Sequence, residues 1–207
     1  MQEHSHLAGT RRPGGRTART QAAVYDALMA ELAESGYGGT SVEKIAARAS
    51  VAPSTVYRRW GNLEGIVLSL VGDMTRDVDV PDTGDLEADL LALARVIVGL
   101  LGHPVQGTLL DSIVAAATRD QAARDTLRAE MLGRVKRTSV IVEHAVQRGE
   151  VPEDTDTWEV IRLMAAPLYY RAYITREPLA DADAQQAATV AAFAAKAGIV
   201  RKRPDPS

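Results

Sequence analysis

Five polar side chains in a run of six, Ser54, Thr55, Tyr57, Arg58 and Arg59, concentrate the chemistry of this sequence. Short hydroxyls, a phenol and two guanidiniums suit phosphate oxygens and the base edges of a DNA groove. They sit at the end of the stretch Thr40–Trp60, TSVEKIAARASVAPSTVYRRW. Val42, Ile45, Ala46 and Ala49 recur at helical spacing, and Thr40 or Ser41 is available to cap that helix. A second helix is predicted from Pro53 to Trp60-Gly61, because proline at the first helical position has no amide to leave unpaired. The turn Ala49–Ala52 is short enough to set the two helices at a steep angle, the geometry of a helix-turn-helix. Ala46 is small where the helices approach, Val51 is expected to plug the turn into the core, and Val56 and Trp60 face inward.

Other segments must hold this motif in place. Val24, Tyr25, Leu28, Met29 and Leu32 mark a preceding helix, with Gly36 as an αL cap. Asn62 caps a following one with the stripe Ile66, Val67, Leu70, Val71 and Met74. Helices are then predicted over 85–101, 105–117, 120–148, 156–174 and 182–197. No segment has a convincing period-2 pattern, and 34 of the 207 residues are alanine, the best helix former. The expectation is an all-α protein of about nine helices. It comprises a mobile arm 1–15, a three-helix helix-turn-helix domain 16–62, a helical bundle 63–200 with a dimerisation face, and a tail 201–207.

Charge agrees once it is divided. The chain carries a net −3, but residues 1–65 hold eight basic and six acidic side chains, leaving −5 on the remainder. A basic head on an acidic body fits a DNA partner for the head. The absence of cysteine excludes disulfides, thiolate-metal sites and a thiol nucleophile, and fits a cytoplasmic location. His4 and His6 lack a third ligand, so no metal and no cofactor is expected. The four histidines are scattered, and no Glu-x-x-His pair or glycine-rich phosphate loop occurs, so an enzyme is not expected. The most apolar run, Leu90–Leu101, is too short to span a bilayer, and Met1–His6 is no signal peptide, so no membrane partner is expected.

Residues 16–72, with Gly-Tyr before a Thr-Ser cap, Ile-Ala-Ala-Arg-Ala, a valine in the turn and Tyr-Arg-Arg-Trp, resemble the DNA-binding domain of TetR-family transcriptional regulators. Gly84-Asp85-Leu86, Arg148-Gly149-Glu150 and Pro167-Leu168-Tyr169-Tyr170-Arg171 resemble one C-terminal subgroup of that family. The resemblance implies a ligand-responsive regulator, most often a repressor, which binds a pseudo-palindromic double-stranded operator as a homodimer and is released by a small-molecule effector. The alternative is a helical interaction protein on the same fold with weak or lost DNA binding.

The same resemblance implies roles for single residues. Tyr57 and Arg59 are expected on phosphates, Thr40 and Lys44 on the DNA backbone, and Pro53, Ser54 and Thr55 near base edges. Arg58 is chosen for a guanine edge, with a further phosphate contact as the alternative. Arg12, Arg16 and Arg19 reach a minor groove or phosphates, or belong to a solvated tail. Ser50 stands where the family usually has glycine, and Leu63 where it usually has lysine. Gly65 is expected to weaken the helix that Leu63 begins.

In the body, Ala184, Ala188, Ala191 and Ala195 let helices approach closely, and Leu163, Tyr170 and Ile174 make one stripe. Together these are the expected dimer interface. Pro167 is expected to kink its helix beside polar aromatics. Met74, Ile113, Met131, Val135, Tyr169 and Tyr170 are the candidate effector contacts.

Overall fold

The computed structural model describes residues 15–74 and 80–202, together with the backbone but not the side chains of Arg16 and Met74. Arg12, His4, His6 and the terminal arm before residue 15 lie outside the described residues, as does the end of the tail. The described residues form ten α-helices and one π-helical turn, with a single bridge, Thr155 to Arg201, as the only extended pairing. The fold is all-α. No single helix is long and apolar enough to cross a membrane. The chain divides into two compact units, and the division falls after Ile66.

The first unit contains α1 (Gly15–Gly39), α2 (Val42–Arg48), α3 (Pro53–Trp60) and the start of α4 (Leu63–Met74). Val24, Leu28, Ile45, Ala46, Val56 and Ile66 are its fully buried centre. The backbone of α1 breaks at Gly36, as expected, but with φ 63° and ψ 177° rather than in the αL region. Only glycine occupies that region without strain. The cap of α2 is Ser41, whose Oγ accepts from the Lys44 amide at 3.3 Å. Buried Glu31 and exposed Glu34 both take Arg48, at 2.8 and 2.5 Å, and so tie the end of α2 to α1. Val51 is half-buried, so it seals the turn less fully than expected.

Two features of the α2–α3–α4 chain are set by backbone geometry. Ser50 has φ 55°, in the left-handed region. Its amide donates to the Ala47 carbonyl and the Val51 amide to the Ala46 carbonyl, the paired bonds that end a helix on a left-handed residue. Gly65 donates to the Asn62 side chain at 2.8 Å, so Asn62 is the cap of α4. A Cβ on Gly65 would lie 1.9 Å from the Trp60 carbonyl oxygen. Gly65 is therefore a requirement of the tight α3–α4 junction, which corrects its reading as a mere weakness.

The second unit contains the remainder of α4, then α5 (Leu86–Gly102), α6 (Pro104–Ala117), α7 (Gln121–Thr138), α8 (Val140–Gln147), α9 (Thr157–Tyr170), the π-helical turn Arg171–Thr175 and α10 (Asp181–Lys196). Side-chain caps start its helices: Asp85, His103, Asp120 and Asp156 accept from amides of the first turns of α5, α6, α7 and α9. The single helix expected over 120–148 is two. Thr138 and Ser139 turn their hydroxyls back onto the carbonyls of Arg134 and Lys136, and this competition with the helix ladder breaks it at Ser139. The segment expected as one helix over 156–174 also changes register. Pro167 lies inside α9, and beyond Tyr170 the chain widens until the Arg176 amide reaches the Arg171 carbonyl.

The alanine stripe is the main correction. Ala184, Ala188, Ala191 and Ala195 are all fully buried inside the protomer, where α10 packs on α5 and α9. Small residues let α10 approach those helices, so these four are core and not a surface for a second copy. The opposite edge of the α9–α10 layer is apolar and open: Leu163, Tyr170, Ile174, Val190 and Phe193 are exposed.

The two loose motifs of the body meet. Glu150 accepts the Leu86 amide at 3.0 Å and Arg148 at 2.5 Å, so Arg148-Gly149-Glu150 closes the N-terminus of α5 at Gly84-Asp85-Leu86.

Candidate nucleic-acid interface

The amphipathic split of α3 follows from its sequence. Val56 and Trp60 are buried, whereas Pro53, Ser54, Tyr57, Arg58 and Arg59 are exposed, and Thr55 is half-buried. Trp60 is fixed against Tyr25 of α1, with ring centroids 6.4 Å apart. Further on, half-buried Tyr37 donates to Glu64 at 2.7 Å. Burial, and then the Glu64 carboxylate, hold that phenol above its ordinary pKa, so it stays a donor. The open face of α3 thus rests on a rigid scaffold.

Its cations are placed differently from one another. The guanidinium of Arg58 makes no hydrogen bond or ion pair with any described residue. Arg59 is folded back onto α1, where it donates to the Thr17 carbonyl at 3.1 Å and to Gln21, and it lies 4.6 Å over the Trp60 ring. Lys44 donates to the Gly39 carbonyl at 2.7 Å and remains exposed. Thr40 is buried, its hydroxyl committed to the Gly36 carbonyl at 2.8 Å. Arg16 sits in the first turn of α1, with its side chain outside the described residues, and Arg19 donates to the Gly15 carbonyl. Tyr57 is exposed on α3 and donates to Glu43 of α2 at 2.6 Å. That bond raises the Tyr57 pKa and lowers that of Glu43. Sequence reasoning missed both Glu43 and Gln21, because partners this far apart along the chain carry no periodic signal.

The candidate effector contacts do not converge on one cavity. Ile113 is fully buried, Met131 and Val135 are half-buried on α7, and Tyr169 is half-buried on α9. Tyr170 points outward and is 57% exposed, which removes it from any interior site. The Met74 side chain lies outside the described residues. An open groove of about 430 Å³ runs between the α5–α6 junction and the π-helical turn, past Thr108, Asp111, Tyr173 and Arg176. No group of three or more His, Asp or Glu among the described residues is arranged to hold a metal ion.

A short helix pair joined by a tight turn, with a polar exposed second helix and a further helical unit in the same chain, is the architecture of a helix-turn-helix DNA-binding regulator. Comparison with known proteins agrees. Residues 24–70 match the model for bacterial regulatory proteins of the tetR family, and residues 80–191 match the tetracyclin repressor-like C-terminal domain. The chain belongs to the TetR family of transcriptional regulators. It is 29% identical over 161 residues to the HTH-type transcriptional regulator YdeS of Bacillus subtilis strain 168, covering 77% of this chain and 79% of YdeS. It is 28% identical over 156 residues to the DNA-binding transcriptional repressor TetR of Mycobacteroides abscessus, covering 72% and 80%. The TetR-family regulator SCO0332 superposes with a TM-score of 0.70 at 25% identity, over 84% of this chain and 97% of that one. Family and homologues are regulators, not enzymes.

Proposed function

We propose that this chain is a ligand-responsive repressor that binds a pseudo-palindromic operator as a homodimer in the cytoplasm. The observation that carries this reading is the open face of α3, with Arg58 unengaged at its centre. Arg58 reads a guanine edge, while Tyr57, Arg59 and Lys44 take phosphates, and Pro53, Ser54 and Thr55 lie near base edges. Arg16 and Arg19 approach the backbone from α1. Thr40 acts only through the backbone it braces, since its hydroxyl is already used. The repressor sense is supported by the name of the M. abscessus relative.

The homodimer forms through Leu163, Tyr170, Ile174, Val190 and Phe193, large apolar side chains that one protomer leaves in water. A pseudo-palindromic operator offers one half-site to each protomer's α3, in successive major grooves about 34–36 Å apart. An effector bound in the second unit releases DNA by its differential affinity for a dimer with its readers at another spacing. Selection from a random duplex library with the full-length protein tests this reading. Recovery of a pseudo-palindrome with half-site centres about one helical turn apart supports it, and recovery of no preferred sequence contradicts it.

A further inference from the structure

The cations of the first unit are not all held by the same kind of acceptor. Arg48 is paired with two carboxylates, Glu31 and Glu34. Arg59 is held by no carboxylate among the described residues. The Thr17 carbonyl takes its Nη1 at 3.1 Å, the Gln21 side-chain oxygen takes its Nη2, and the guanidinium lies 4.6 Å over the Trp60 ring.

The seat for Arg59 is built from one face of α1. Thr17, Gln21 and Tyr25 follow each other at intervals of four residues, so they line up along the helix. Gln21 is half-buried and uses both ends of its amide. Its Nε2 donates to the Tyr25 hydroxyl at 2.9 Å, which turns Oε1 toward Arg59. Tyr25 in turn packs against buried Trp60, with ring centroids 6.4 Å apart. Arg59 is thus tied through Gln21 and Tyr25 to the core of the unit.

An amide oxygen and a backbone carbonyl orient a guanidinium without cancelling its charge. Two of the five N–H groups of Arg59 are used in this way, and the side chain stays exposed. The other N–H groups and the whole positive charge remain for an anionic oxygen. Fixing a long side chain beforehand also lowers the ordering cost of that contact. A carboxylate of the same shape in place of the Gln21 amide would hold Arg59 where it is and neutralise it, as Glu31 and Glu34 do for Arg48.

We propose that Gln21 is a positioning residue for DNA binding, which presents Arg59 to a backbone phosphate with its charge intact. Its effect does not depend on base sequence. This rests on the reading that Arg59 takes a phosphate, and it adds the residue that sets Arg59 there.

Fluorescence anisotropy on the full-length protein with a duplex of mixed sequence, from about 50 to 200 mM salt, tests it. Gln21→Glu is expected to weaken binding at least about threefold at the low-salt end and to make the log–log slope shallower by about 0.9 per bound protomer, as Arg59→Ala does. Gln21→Met removes the acceptor and adds no charge, so it is expected to weaken binding by about two- to threefold and to keep the parent slope. In the Arg59→Ala background, Gln21→Glu is expected to change the slope no further, because it acts through Arg59. A merely structural glutamine would lower the thermal midpoint of both variants and leave both slopes at the parent value. The parent slope in Gln21→Glu, or an equal fall in slope in the Arg59→Ala background, overturns the proposal and leaves the phosphate contact of Arg59 standing. Parent affinity in Gln21→Met overturns it as well, whether or not Gln21→Glu folds. An Arg59→Ala slope equal to that of the parent overturns the phosphate reading of Arg59, and the proposal with it.

Discussion

The Tyr57 hydroxyl on the exposed face of α3 is held by the Glu43 carboxylate of α2 at 2.6 Å. An acceptor of the same kind as a phosphate oxygen therefore already occupies the hydroxyl that the family resemblance assigns to DNA. On the proposed phosphate role of Tyr57, Glu43 competes with the operator backbone in two ways: it ties up the donor, and it sets a negative charge beside it. Glu43→Gln is expected to tighten binding to every duplex sequence by about threefold or more at low salt, with the gain shrinking as salt rises. Tyr57→Phe is expected to weaken all sequences alike. Fluorescence anisotropy on matched and scrambled duplexes checks both.

Ser50 holds a left-handed backbone at φ 55° between α2 and α3. A side chain there costs roughly 1–2 kcal/mol relative to glycine. Ser50→Gly is expected to raise the thermal midpoint of the helix-turn-helix unit without altering its operator. Thermal denaturation of the two proteins, with unchanged or lower stability as the contrary result, decides it.

Gly65 gives the opposite sign. A Cβ placed 1.9 Å from the Trp60 carbonyl forces the α3–α4 junction apart. Gly65→Ala would improve helix propensity elsewhere, but here it is expected to destabilise by about 1–3 kcal/mol and to weaken DNA binding through the displaced Trp60. A denaturant midpoint at or above that of the parent protein would refute the junction argument.

The closure of α5 by Glu150 predicts an acid dependence. Burial pushes the Glu150 pKa up, but the Leu86 amide, Arg148 and Lys196 outweigh it and hold it below the ordinary value. The Asp85 carboxyl is lowered too, chiefly by the Ala88 amide. Folded-state values below the unfolded ones mean stability that is present above about pH 4–4.5 and is lost as pH falls through the folded values. Glu150→Gln is expected to lower the midpoint at neutral pH and to flatten its decline in acid. Thermal scans from pH 7 to about pH 3 read both effects.

The open apolar edge of α9 and α10 predicts oligomeric state. Phe193→Glu is expected to yield a folded monomer by sedimentation, because Phe193 is 69% exposed in one protomer. Ala191→Leu is expected to unfold the second unit instead, because Ala191 is fully buried. A Phe193→Glu protein that remains a dimer would place the interface elsewhere.

The contrast between those two residues shows what the sequence disclosed. Val56 and Trp60 at helical spacing, with a proline start and a polar remainder, determine which face of α3 is buried, and the structure agrees. Alanines at the same spacing in α10 say only that another helix comes close. They do not say whether that helix belongs to the same chain, and here it does. Ser139 looked like one residue inside a long helix, because a hydroxyl that back-bonds to its own ladder leaves no mark on apolar periodicity. The meeting of Glu43 with Tyr57 depends on tertiary placement, so that pairing is not legible before the fold.

The central claim is that the exposed face of α3 grips duplex DNA. The salt dependence of binding to a selected operator tests it most directly. A dimer that sets two cations per protomer on phosphates predicts a log–log slope of about −3.6 or steeper, made shallower by Arg59→Ala. A slope near zero, or equal binding by the parent protein and an Arg58→Ala, Arg59→Ala double variant, would contradict it.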